Sequence, residues 1–140
     1  MKLDLDTARG IFASAPFMVE LGVAPTVVGE GAVSTEMRVE KRHLQHTGVV
    51  HAGVMATMAD HSMGAAAQTL APAGHWILTA ELKTSLLRPA RCERLVCEAH
   101  VLKPGRQITF TEAHVWAVSG DERTLVMKAS ATMAVTAPKA

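Results

Sequence analysis

Asp60 is the one formally charged residue between Arg42 and Glu81. It sits inside Thr47-Gly-Val-Val-His-Ala-Gly-Val-Met-Ala-Thr-Met-Ala-Asp-His-Ser-Met-Gly-Ala-Ala-Ala, a run that reads as a buried helix. A carboxylate in apolar surroundings is costly, so a fold keeps one that is paired, protonated or used. No Lys or Arg lies near enough in sequence to pair with it on the same helix. A side chain of this type serves as general base or as nucleophile. The alternative is a structural acid bonded to Thr57, Ser62 or a backbone group. His43, His46, His51 and His61 surround it, yet no pair shows the i, i+4 helical spacing with an acid between, and no metal site is expected.

The elements that must position Asp60 follow from breakers and periodicity. A short helix is expected over about residues 6–15, with Asp6 or Thr7 as cap and Pro16 ending it. Phe17 to Leu21 adds a turn before Gly22. Val23 to Val39 is rich in Val, Thr and Met around Gly29-Glu30-Gly31, a hairpin signature. The central helix runs over about residues 52–70 and stops at Ala71-Pro72-Ala73-Gly74. At about 1.5 Å per residue it is close to 30 Å long, and apolar residues nearly encircle it, so the rest of the protein should wrap it. Strands follow at Trp76–Leu87, Leu95–Leu102, Gln107–Val118 and Thr124–Val135. In the last, Leu125, Met127, Ala129, Ala131, Met133 and Val135 alternate with polar residues, which makes one face buried. An α+β fold, with a curved antiparallel sheet around one long helix, satisfies this order in a single domain spanning residues 1–140.

Composition removes several function classes. With 140 residues and a formal net charge of +1, the chain has neither a nucleic-acid footprint nor the signature of disorder. Two Trp, three Phe and no Tyr do not supply stacking platforms for single strands. Cys92 and Cys97 are the only cysteines and point to opposite faces of one strand, so no local disulfide is expected. Met1-Lys-Leu-Asp-Leu-Asp is charged, unlike a secretory signal, and the central segment is too polar to span a membrane. A soluble cytoplasmic protein is expected.

Gln45, the His51-Ala52-Gly53 opening of the helix and Asp60, nine residues after His51, resemble the motif of the hotdog-fold acyl-CoA thioesterases. The pattern is similar to the phenylacetate-degradation (PaaI-like) branch of the 4-hydroxybenzoyl-CoA thioesterase superfamily. Leu82-Lys-Thr-Ser-Leu-Leu-Arg-Pro-Ala and Leu102-Lys-Pro-Gly-Arg resemble that family's following strand and hairpin, and the resemblance extends from about Gly22 to Val135. Ala52 departs from it, since the family usually has Gly there; the backbone N–H survives, and the added methyl crowds a bound thioester.

The resemblance implies hydrolysis of an acyl-CoA to free acid and coenzyme A, without metal or added cofactor. Asp60 would be general base or nucleophile, and the Ala52 N–H would polarise the carbonyl at the helix N-terminus. Gln45 would add a donor, and Thr79 would position water, reaching Asp60 from a neighbouring subunit. His51 and Gly53 would shape the binding loop, although His51 also reads as a purely structural residue. Met55, Met58 and Met63 would line the acyl pocket, and Arg88, Arg91, Arg94, Lys103 and Arg106 would hold the phosphates of coenzyme A. The family implies a homodimer, or a homotetramer built from two, with the site at the interface. The rival readings are a hotdog hydratase or dehydratase, for whose catalytic His motif there is no counterpart, and a non-catalytic acyl-CoA binding protein.

Overall fold

The computed structural model describes residues 3–138. Helix α1 spans Leu5–Ala13, and its cap is Asp4, whose Oδ1 accepts from the Thr7 N–H at 2.8 Å. The helix thus starts ahead of the expected Asp6 or Thr7, because Asp4 reaches the N3 amide that a capping carboxylate needs. Pro16 does more than end α1. It opens α2, Pro16–Leu21, at the first helical position, where the missing N–H costs nothing.

The hairpin expected around Gly29-Glu30-Gly31 forms as β1, Ala24–Gly29, and β2, Ala32–Arg38. A 3-10 turn at Lys41–His43 leads into the long helix α3, Ala52–Gln68. Strands β3 (Trp76–Leu86), β4 (Arg94–Lys103), β5 (Ile108–Ser119) and β6 (Glu122–Thr136) complete the chain. All neighbours are antiparallel, in the order β1-β2-β4-β5-β6-β3. Strand β3 therefore jumps to the far edge of the sheet and is left unpaired on one side.

Helix α3 lies on one face of that sheet. Met55, Met58, Ala59, Ser62, Met63, Ala66 and Ala67 are buried against Met37, Leu95, Cys97, Val115, Met127 and Met133. Small residues on the helix let it sit close to the sheet, and flexible Met side chains fill the gaps that remain. Ser62 is the polar exception, bonded to Thr35 Oγ1 at 2.7 Å and to the Met58 carbonyl at 2.6 Å. The helix is not wrapped all round, contrary to its composition. Ala56, Thr57, Asp60 and Gly64 are only half-buried on its other side.

Strand β6 departs from simple alternation. A bulge between the pairs Val115–Met127 and Trp116–Leu125 inserts Val126, which is buried, and leaves Leu125 opposite Trp116 and only partly covered. The Val126 carbonyl accepts from the Leu87 N–H at 2.8 Å, tying the end of β3 to this bulge. The inward row of β3 is open as well, with Leu82 38% and Leu86 54% exposed.

Candidate active site

The approach to α3 is a tight loop that aims the helix start. Gln45 N–H donates to Val49 O at 2.9 Å, and Gly48 N–H donates to Gln45 O at 3.0 Å. Gly48 sits at φ +88, where a side chain would strain the backbone. Buried His43 pins this loop: its Nδ1 accepts from the Glu40 N–H at 2.9 Å and its Nε2 lies 2.8 Å from Leu21 O. His51 is the N-cap, with Nδ1 accepting from the Gly53 N–H at 2.8 Å. A Cβ on Gly53 would stand 3.0 Å from that same Nδ1, so the glycine leaves the imidazole room to fold back. The Val54 N–H donates to His51 O. The Ala52 N–H, first of the helix, is left without a hydrogen-bond partner among the described residues, as helix geometry requires unless a cap or ligand supplies one. It opens on a cleft of about 250 Å³ lined also by Gln45, Met55, Leu86 and Arg88.

Asp60 lies further along the helix, on a second cleft of about 440 Å³. It is half-buried rather than enclosed in the core, because it occupies the helix face turned away from the sheet. Its Oδ1 accepts from Thr79 Oγ1 at 2.5 Å. Both residues belong to the same chain, so Thr79 reaches Asp60 without a second subunit, contrary to the expectation that it would come from a neighbouring one. β3 runs beside α3 as the sheet edge and turns Thr79 inward, with its Oγ1 also 3.4 Å from Met133 Sδ. The rest of the cleft is Leu3 ahead of α1, Ala8, Ile11 and Phe12 from α1, then His61, Gly64, Ala65 and Gln68 from α3, and Trp76 to Leu78 from β3. Phe12 meets the His61 ring edge-on at 4.4 Å. Burial pushes the His61 imidazole below its usual value, while the adjacent Asp60 charge opposes that shift.

The thioesterase superfamily pattern matches residues 47–124, which include the His51-Ala52-Gly53 opening, Asp60 and Thr79. This chain belongs to the thioesterase superfamily.

Human acyl-coenzyme A thioesterase 13 is 33% identical over 82 residues, 58% of each chain. The chain thus matches a little over half the length of that curated relative. A thioesterase family protein from Silicibacter pomeroyi is 33% identical, with a TM-score of 0.88 over 91% of this chain and 94% of that one. The E. coli PaaI protein of the phenylacetic acid degradation operon has the same fold at 17% identity, with a TM-score of 0.85 over 96% and 94% of the two chains. The six-stranded antiparallel sheet on a central helix is the hotdog fold of these thioesterases.

Within this thioesterase fold, the residues expected to act together fall into two groups. Gln45, Ala52 and Met55 share one cleft, and Asp60 and Thr79 share the other. Ala52 and Asp60 are separated by about 12 Å of helix at about 1.5 Å per residue. Met58 and Met63 line neither cleft; both are fully buried between helix and sheet, where the 3.6-residue period puts them. The basic residues do not form one cluster either. Arg88 donates to Leu125 O at 2.8 Å and Arg91 to Thr47 O at 3.3 Å, so both stand near the start of α3. Arg94 is paired with Glu36 at 2.9 Å. Lys103 and Arg106 belong to the β4–β5 hairpin, about 30 Å along β4 from Arg94 at about 3.3 Å per residue.

Sequence reasoning missed Phe12, His61, Gly64 and Gln68. Gly64 and Gln68 follow Asp60 at i+4 and i+8, a helical spacing legible in advance. Phe12 gave no such sign, since α1 meets α3 only in the tertiary fold. Among the described residues no group of three or more His, Cys, Asp or Glu is placed to hold a metal ion. None of the described helices is long and apolar enough to cross a membrane.

Proposed function

We propose that this protein hydrolyses acyl-CoA thioesters in the cytoplasm, as a homodimer with two composite sites. The observation that carries the reading is the Asp60–Thr79 pair at the mouth of an apolar cleft, on a thioesterase-family helix. Thr79 engages Asp60 Oδ1, and Oδ2 has no partner among the described residues. In the hydrolytic step Oδ2 takes a proton from water as the water oxygen attacks the thioester carbonyl. The carbonyl oxygen becomes an oxyanion, held by the Ala52 N–H and the positive end of the helix. Collapse breaks the C–S bond, and the proton on Asp60 passes to the departing sulfur, giving free acid and coenzyme A. Direct attack by Oδ2, forming a mixed anhydride that water then opens, uses the same groups.

One carbonyl cannot reach both groups within one chain, given the 12 Å between them. A second copy, running antiparallel along the open face of α3, would bring its Ala52 N–H and Gln45 to the first copy's Asp60. Support comes from the half-buried Ala56 and Thr57 of α3, the unpaired edge of β3 and its exposed Leu82 and Leu86. Such an edge and stripe are normally covered. Arg88 and Arg91 are the phosphate partners this arrangement favours; Lys103 and Arg106 could join them only from another copy.

The test is free-thiol release from a panel of acyl-CoA esters, with Asp60→Asn and Thr79→Ala run beside the parent. Asp60→Asn should lower kcat by on the order of 10² to 10⁴, and Thr79→Ala by less, because solvent partly replaces a positioning hydroxyl. Undiminished turnover in Asp60→Asn would remove this carboxylate from the mechanism.

A further inference from the structure

The cleft at Asp60 extends along α3 as far as Gln68. Asp60, Gly64 and Gln68 lie one turn apart along a single face of α3, and all three line it. A Cβ at Gly64 would meet no atom within 4 Å, so this position opens directly onto free space. Gln68 differs from a free surface amide. Its Nε2 donates to His75 O at 2.9 Å, and its Oε1 accepts from the Ile77 N–H at 3.2 Å. These two bonds clamp the amide between the helix end and the first turn-side residues of β3, so it cannot swing aside cheaply. Ile11 and Phe12 on one side and Ile77 on the other give this groove mainly apolar walls.

Its length can be bounded in two ways. The α carbons of Asp60 and Gln68 stand about 12 Å apart along the helix. On the opposite wall, Thr79 and Ile77, which bond those same two side chains, are about 7 Å apart along the strand. An extended alkyl chain advances about 1.3 Å per carbon, from C–C bonds of about 1.5 Å. Five to nine carbons therefore fill the space between the carboxylate and the clamped amide.

We propose that Gly64 and Gln68 are the specificity-determining residues of this cleft, Gly64 admitting the acyl group and Gln68 stopping it, so that the enzyme takes short to medium acyl chains of about eight carbons and rejects long fatty chains. This rests on the thioesterase reading above and names the substrate class of the same site.

The experiment measures kcat/KM for saturated acyl-CoA esters from four to sixteen carbons, for the parent, Gln68→Ala and Gly64→Leu. The parent should peak near eight carbons. Gln68→Ala should raise the ratio of twelve-carbon to eight-carbon turnover by on the order of tenfold, and Gly64→Leu should lower the ratio of eight-carbon to four-carbon turnover by a similar factor. Gly64→Leu is the variant safe for folding, since Leu is the better helix former. A parent profile that keeps rising to sixteen carbons, or profiles unaltered in both variants, would overturn the proposal. Calorimetric titration of the same esters onto Asp60→Asn, alone and combined with each change, reads chain length without turnover. Absence of thiol release from every ester would sink hydrolysis, whereas the binding profile would still support or refute the roles of Gly64 and Gln68.

Discussion

Ala52 is the first residue of α3, and that position allows its N–H to be deleted almost alone. Proline is tolerated there, because the amide has no intrahelical partner and φ is already near the proline value. The preceding residue must be extended, and His51 already is, at φ −62 and ψ 135. Ala52→Pro should therefore leave the His51 cap and the fold in place while removing one oxyanion donor. Loss of one such donor costs about 3 to 4 kcal/mol in the transition state, or on the order of 10² to 10³ in kcat. The assay is thiol release on the best ester, with a thermal melt to check that Tm moves by no more than a few degrees. Mixing supplies the sharper test. If each site joins one copy's Ala52 to the other's Asp60, a mixed dimer of Ala52→Pro and Asp60→Asn keeps one intact site. With random exchange half the dimers are mixed, so co-refolded protein should recover about a quarter of parental activity. Near-parental kcat in Ala52→Pro would refute the oxyanion role. A dead mixture of proteins shown to exchange subunits would refute the divided site.

Further expectations follow from individual contacts. Gly53→Ala places a methyl 3.0 Å from His51 Nδ1, and the roughly 1 kcal/mol lost by loosening that cap is offset by a gain of about 1 kcal/mol in helix propensity, so the urea midpoint should hardly move. His61 is depressed by burial, so the unfolded chain binds its proton more readily than the folded one. Its contribution is whole above the ordinary value of about 6.5 and is lost as pH falls through that value toward the lowered one. His61→Phe should accordingly flatten the decline of stability between pH 7 and 5; an unchanged slope would exclude this source. Burial pushes the Cys97 thiol up to about 12 and raises Cys92 as well. Neither should react quickly with a disulfide reagent at pH 8 in the folded state, and rapid labelling of Cys97 would show that the core opens.

Much of the architecture could be read from local signals. Pro16, the Gly29–Gly31 turn and the Pro72 and Gly74 stop each act over a few residues, and the elements formed where these signals stood. Misreadings came where a local signal competed with a distant one. Asp4 displaced Asp6 as the cap of α1, and the bulge at Val126, tied to Leu87 across the sheet, turned Leu125 off the buried face. Met58 and Met63 were chemically plausible lining, yet the direction from which the sheet met α3 buried them.

The sequence by itself determined the helix that carries Asp60, the free amide at its start and the family to which the motif belongs, because a helix's period and ends are set by its own residues. Only the tertiary structure decided which of these groups meet. It brought Thr79 to Asp60 through the placement of β3 at the sheet edge, and set α1 against α3 to make a cleft. The separation of about 12 Å between Ala52 and Asp60, by contrast, follows from the rise of the helix alone, and no tertiary rearrangement within one chain can close it.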